Sequence, residues 1–322
     1  MFRNAIVRVA GAAAIILAGL GGAMAQSYPD RPITVIVPFA PGGGTDIMTR
    51  IWADAVGARL GQRILVENMP GAAGAPGTRA GMAAEPNGYN LFAGVASTMA
   101  INPHIMADLG YTADDAQPVA MLTYSAWVMV VSATLPVNTV EELIAYDKAN
   151  PGVLTFANWT ATGEMGRKAF AMRSGVDMLP VPYDGSVAAM TDLVAGRAHV
   201  ALLDITAALP FVAAGEVRPI AMTSSQRTDL LPDVRSIAES GIDNYEVTSW
   251  VAMFAPKGTP MEIVELLNDA TNEAFKDPAI IQQFADLGTE IRDYEVDEVT
   301  RFVADENTKW RAMAEETGAL VQ

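Results

Sequence analysis

The chain contains no cysteine and only two histidines, His104 and His199. Without cysteine it has no disulfide framework, no thiol nucleophile and no thiolate metal site. Basic residues are also scarce: 21 Lys and Arg face 37 Asp and Glu, for a formal net charge of −16. That balance argues against nucleic acid, whose phosphates call for clustered Lys and Arg, and against docking on an anionic membrane surface. Common catalytic motifs are missing as well. There is no Gly-x-Ser-x-Gly elbow, no His-Glu-x-x-His pair, no P-loop lysine and no full dinucleotide fingerprint. His199 lies in an apolar strand run, where a structural role is expected. His104 follows Asn102-Pro103 and marks a turn or helix start. Asp114-Asp115 reads as solvated loop charge, and the sequon Asn158-Trp159-Thr160 reads as coincidence.

Residues 1–25 read as a cleavable signal peptide. Arg3 and Arg8 open it, Ile15-Ile16-Leu17 sits in a short apolar stretch, and Ala23-Met24-Ala25 is a small-x-small cleavage pattern. No later stretch is long and apolar enough to span a bilayer. Cleavage leaves 19 basic residues against 37 acidic ones, a net charge near −18. A freely soluble exported protein is expected, with enough chain for two domains, each with its own core.

The most informative stretch is Pro38-Phe39-Ala40-Pro41-Gly42-Gly43-Gly44-Thr45-Asp46. Before it, residues 33–37 form a short β-branched run that reads as a buried strand. After it, Ile47, Ile51 and Ala55, with Met48, Trp52 and Val56, recur at helical spacing. A glycine loop feeding a helix start presents free N–H groups at the positive end of a dipole, a site for phosphate or carboxylate. The alternative is a tight connection whose glycines only supply unusual dihedrals.

Strand-like runs at 63–67, 91–95, 127–131, 154–157, 199–203, 219–222 and 250–255 alternate with helical ones. Thr139-x-x-Glu142 has capping-box spacing ahead of a helix at 140–148, and Thr259-Pro260-Met261-Glu262 opens another. Such alternation predicts parallel sheets covered by helices on both faces. No flexible linker is present, so the chain is expected to cross between domains through strands, at 122–126 and again at 224–227. Two facing sheets would then gather their strand-end loops around one cleft. Small polar loops precede several helix candidates: residues 71–77, Ala96-Ser97-Thr98, Thr160-Ala161-Thr162-Gly163 and Asp184-Gly185-Ser186. Each has a capping reading; together they suit a binding cleft better than a catalytic centre.

At this point the residues resemble a known family. Tyr28-Pro-Asp-Arg-Pro-Ile-Thr-Val-Ile-Val-Pro-Phe-Ala-Pro-Gly-Gly-Gly-Thr-Asp46 is similar to the opening of the tripartite tricarboxylate transporter (Bug family) solute-binding proteins. Further matches are Val66-Glu-Asn-Met-Pro-Gly-Ala-Ala-Gly74, Pro86-Asn-Gly-Tyr89, Val181-Pro-Tyr-Asp-Gly-Ser186, Leu231-Pro-Asp-Val234 and Trp250-Val-Ala-Met-Phe-Ala-Pro-Lys-Gly-Thr-Pro260. The resemblance spans the mature chain. It implies an α/β, two-domain periplasmic binding protein of type II-like architecture, each domain a mostly parallel sheet flanked by helices, with a ligand cleft between them. Domain 1 would comprise 26–124 plus 227–322 and domain 2 125–226.

The resemblance further implies a periplasmic receptor that binds a small organic carboxylate and delivers it to membrane transporter subunits. It would act as a monomer, without cofactor, metal or catalytic residues. Expected ligand-binding residues are Pro41, Gly43, Gly44, Thr45 and Asp46 in the first loop, and Ser97 and Thr98 after the third strand. In the second domain they are Trp159, Thr160, Thr162 and Gly163, with Asp204 and Thr206. Asp204 either accepts hydrogen bonds from the far end of the ligand or caps the helix after it. The second-domain loop departs from the family pattern by carrying Trp159, and Glu164 where histidine is usual. Three readings are open for Glu164: it points to solvent from a first helical turn, it is protonated, or it meets a donor on the ligand. Trp159 and Trp250 either stack on an aromatic acid or pack in the interior. A ligand sensor signalling to a regulatory partner is the alternative function, and an enzyme the third class.

Overall fold

The computed structural model describes residues 28–224, 227–243 and 245–321, with the side chain of Thr206 outside the described set. The expected leader, 1–25, therefore lies outside the described residues. The first half opens with β1 (Ile33–Val37), α1 (Gly44–Leu60), β2 (Ile64–Asn68), α2 (Ala75–Met82) and β3 (Asn90–Val95), followed by a π-helical turn, Ala96–Ile101. The long β4 (Ala116–Ser132) leads to α3 (Val140–Ala149), β5 (Thr155–Asn158), α4 (Ala161–Ser174) and β6 (Leu179–Pro182). Then come α5 (Ser186–Val194), β7 (Val200–Asp204), α6 (Ile205–Ala213) and β8 (Val217–Met222). The chain closes with β9 (Thr248–Pro256), α7 (Met261–Ala274), α8 (Pro278–Asp286), β10 (Thr289–Ile291) and α9 (Val296–Glu316).

Among the described residues these strands join in one mixed sheet of order β2-β1-β3-β9-β4-β7-β5-β6, with β8 and β10 also on β4. Parallel pairing links β1 to β2 and β3, and β5 to β6 and β7. The connecting strands are the antiparallel members of the mostly parallel sheet in each half. β9 runs antiparallel to β3 and β4, and β4 runs antiparallel to β7 and β8. The reason is directional. Strands of each half point their carboxyl ends at the middle of the molecule, so β4, entering the second half there, must oppose β7, and β9, leaving the middle, must oppose β3.

β4 carries the chain between halves. Residues Ala116 to Ala126 pair with β9, and Trp127 to Val131 pair with β7. The expected crossing at 122–126 lies within this strand. The return expected at 224–227 includes residues 225 and 226, outside the described set. Downstream, Met222 donates its N–H to Arg235 O at 2.8 Å and accepts that of Ile237 at 2.9 Å, and Val247 N–H reaches Thr223 O at 2.9 Å. Arg235, Ile237 and Val247 thus lie beside the end of β8, and the first half resumes at Thr248.

Apolar periodicity built the cores. Alternate β1 residues Ile33, Val35 and Val37 are fully buried against Trp52 and Val56 of α1. A second core joins Val128, Val130, Leu193, Ala201 and Leu203. A third runs across both halves, from Phe92, Trp250 and Phe254 to Phe156, Phe170 and Leu202, with Trp310 of α9. Burying one aromatic or leucine side chain contributes about 1.5–3 kcal/mol. These cores fix the strand ends, and so the loops beyond them.

Candidate functional site

The carboxyl ends of β1, β3, β5, β6 and β7 converge on a narrow cavity of about 50 Å³ between the halves. From the first half it is lined by Phe39, Ala40, Gly43, Gly44 and Thr45, by Val95 and Ser97, and by Ser249 and Val251 of β9. The second half contributes Trp127, Trp159, Thr160, Thr162, Gly185, Ser186, Asp204 and Ala207.

The first loop is shaped by Asp46. Its carboxylate, 3% exposed, accepts the Gly42 N–H at 2.9 Å, Arg50 Nε at 3.0 Å and the Asn68 amide at 2.8 Å. Gly42 sits at φ +80°, where a side chain would be strained. Burial pushes the Asp46 carboxyl up, but Arg50, the Gly42 N–H and Asn68 outweigh it and hold the group below its ordinary value. Asn68 also donates to Phe39 O at 3.0 Å, so β2 braces the loop from behind. Gly43 is the N-cap of α1 and offers no side-chain cap, leaving first-turn N–H groups at the cavity wall.

The second half repeats the device. Thr160 is the N-cap of α4 and accepts the Gly163 N–H at 3.0 Å. Gly185 precedes α5 and Asp204 precedes α6. The N-termini of four helices therefore face one small space, and helix N-termini favour anions. Two buried donors at the wall lack any protein partner: Ser97 Oγ and the Trp127 indole N–H. Asp204 is the negative group here; it accepts the Ser125 hydroxyl at 2.7 Å.

Of the expected residues, Gly43, Gly44, Thr45, Ser97, Trp159, Thr160, Thr162 and Asp204 come together at the cavity. Pro41, Asp46, Thr98 and Gly163 do not line it. Pro41 is exposed, and Asp46 is spent on its own loop. The Thr98 hydroxyl turns back to Val95, whose N–H it accepts at 3.2 Å, and the Gly163 N–H is taken by the cap. The side chain of Thr206 lies outside the described residues. Trp250 is fully buried, with its N–H on Glu306 at 2.9 Å, so of the two tryptophans only Trp159 reaches the cavity. Glu164 is also outside it, held by Arg167 Nε at 3.0 Å and Nη2 at 2.6 Å. Trp127, Phe39 and Ser249 were not anticipated. Gly185 and Ser186 were signalled by the polar loop ahead of α5.

His199 is structural, its Nδ1 accepting the Thr155 N–H at 3.1 Å, and burial lowers its pKa. Among the described residues no cluster of His, Asp or Glu could hold a metal ion, and no helix is long and apolar enough to cross a membrane.

Two strand-crossed halves closing on a small cavity of helix N-termini define a solute-binding receptor of the two-domain periplasmic binding protein fold. The chain belongs to the tripartite tricarboxylate transporter family of receptors: residues 48–319 match the family described as "Tripartite tricarboxylate transporter family receptor". Protein BugT of Bordetella pertussis is 35% identical over 303 residues, 92% of this chain and 93% of that protein. The R. palustris protein Rpa4515, solved with adipate, superposes with a TM-score of 0.88 at 30% identity, covering 90% of this chain and 98% of that one. MatC (Rpa3494) from Rhodopseudomonas palustris, solved with bound malate, gives 0.85 at 28% identity over 89% and 99%. The expected family and fold are borne out, and with them the expectation of a receptor rather than an enzyme.

Proposed function

We propose that this receptor captures a small organic carboxylate in the cavity between its halves and presents it to the membrane subunits of a tripartite tricarboxylate-type transporter. It does so in the periplasm as a single copy, after removal of the leader. The observation that carries the reading is the meeting of four helix N-termini with two unpartnered buried donors, Ser97 Oγ and the Trp127 N–H. A buried donor left unpaired costs about 1–3 kcal/mol, and a carboxylate oxygen on each would relieve it. The adipate and malate bound by the two R. palustris proteins support the same ligand chemistry.

The expected division, 26–124 plus 227–322 against 125–226, we move to 126/127, where β4 passes from pairing with β9 to pairing with β7, and to 247/248, where β9 begins. The Thr223 hydroxyl lies 2.8 Å from Trp127 O and 2.5 Å from Val247 O, tying the two crossings at one point about which the halves turn. The test is a thermal-shift and calorimetric panel of adipate, malate, glutamate, benzoate and sulfate. Carboxylates should raise the melting temperature and bind one to one. Gly44→Val should abolish this in a folded protein, because a Cβ at Gly44 already lies 3.6 Å from Asp204 and the added methyls fill the cavity. No carboxylate binding at millimolar concentration, or full affinity in that variant, would overturn the assignment.

A further inference from the structure

A second, more open cavity of about 580 Å³ lies on the other side of Trp159 and Thr160, which line both. The inner cavity, about 50 Å³, is far smaller than this one, so a carboxylate head seats there and a longer ligand extends past Trp159 into the outer cavity.

Beyond the shared Trp159 and Thr160, the outer wall is richer in acceptors than the inner one. No lysine, arginine or histidine lines it, while Glu164 and Asp184 do. Asn102, fully buried, also lines it. The Asn102 amide N–H holds Ala73 O at 3.1 Å, but its Oδ1 has no partner. The Asn158 Oδ1 is buried and unpartnered in the same way. Ala72 and Ala73 of this wall sit at φ 41° and 52°, strain of the kind held at functional sites. Arg167 bonds the Glu164 carboxylate from its own helix and does not line the cavity. The unpaired Asn102 and Asn158 oxygens call for a donor, and the Glu164 carboxylate, held by Arg167 on one side, keeps lone pairs that a second donor could use.

We propose that the outer cavity receives a protonated amine, carried beyond an apolar spacer, of a ligand whose carboxylate sits in the inner cavity. The spacer packs on Trp159, whose ring face also attracts a cation. This rests on the carboxylate reading above. It makes the site a discriminator: a second carboxylate at the far end would meet Glu164, Asp184 and the unpartnered asparagine oxygens, with no cationic side chain in the wall.

The test is calorimetric titration of the full mature chain with hexanoate, adipate and the ω-aminoalkanoates of four to six carbons. At least one aminoalkanoate should bind about tenfold or more tighter than the unsubstituted acid of its length, and adipate no tighter than hexanoate. Glu164→Gln and Asn158→Ala should each remove about fivefold or more of that gain while leaving hexanoate within about twofold. If hexanoate binds and the amine adds nothing, or if both variants weaken hexanoate and aminoalkanoate equally, the outer site is overturned and the carboxylate reading stands. If none of these acids binds, the carboxylate reading fails and takes the outer site with it.

Discussion

Replacing Asp46 by alanine should loosen the first loop without removing any side chain that lines the cavity. Its carboxylate holds the Gly42 N–H and the Asn68 amide. Hydrogen bonds to a charged acceptor contribute about 1.5 kcal/mol each. The Arg50 side chain is 48% exposed, so solvent screening discounts its ion pair to about 0.5 kcal/mol. The loss is about 3.5 kcal/mol, a fall in melting temperature of about 7 °C at ~2 °C per kcal/mol for a chain of this size. Gly42, freed from its anchor, then leaves its left-handed conformation. If the competent loop is populated only about one time in ten, affinity falls about tenfold. Circular dichroism melts and titration with a carboxylate that the parent binds would measure both.

Acid gives an independent check on the same group. A carboxyl whose pKa is lowered on folding contributes stability that is complete above its ordinary value, here 3.8, and is lost as pH falls through the lower folded value. The melting gap between the parent and Asp46→Asn should therefore be full at neutral pH and close only below 3.8. An unchanged melting temperature and affinity in Asp46→Ala, or a gap already closed near neutral pH, would refute the role given to Asp46.

Gly43→Ala places a Cβ 3.2 Å from Ser186 Oγ of the opposite half; it should weaken binding by about three- to tenfold through impaired closure, with melting of the free protein unchanged. Trp127→Phe should act with opposite signs. It removes an unpartnered buried donor, so the free protein should be as stable or slightly more stable, while carboxylate affinity drops by about 1 kcal/mol or more; equal affinity in a titration would show that the indole N–H does not meet the ligand.

Much of this arrangement was legible because it is local. The run of β1, its glycine loop and the period of α1 lie within thirty residues, and the caps at Thr139 and Thr160 form as their spacing implies, accepting Glu142 N–H at 3.1 Å and Gly163 N–H at 3.0 Å. The cap ahead of α7 shifted by one residue, because the Thr259 hydroxyl bonds back to Pro256 O at 2.8 Å. What escaped notice is what depends on distant partners. The first part of β4 carries Pro118 and two register shifts against β9, which break its period. β6 reads Leu-Pro-Val-Pro and survives as a strand because it lies at the sheet edge, where missing N–H groups cost little. Trp127 opened a strand in the sequence; that its N–H is left unpaired follows from how β7, β8 and α4 pack around it. Asp46 lies away from the cavity for the same reason. Its loop is local, but Asn68, which turns it inward, comes from the next strand.

Asp204 is the residue on which an anion site of this build must be judged. A fixed carboxylate about 5 Å from a bound one repels it by roughly 3 kcal/mol at an effective dielectric near 20. Four helix N-termini face the same space, each contributing about 0.3–1 kcal/mol and up to about 2 where partly buried. Their sum, about 4 kcal/mol at an intermediate value each, exceeds the repulsion, and the Ser125 hydroxyl at 2.7 Å disperses part of the Asp204 charge. An anion is therefore still favoured, and Asp204 is left to grade what the anion carries. Asp204→Asn should tighten binding of an unsubstituted monocarboxylate by about three- to tenfold and weaken that of a 2-hydroxy or 2-amino acid by a similar factor. A uniform shift across all three, with a lower melting temperature, would reduce Asp204 to the cap of α6.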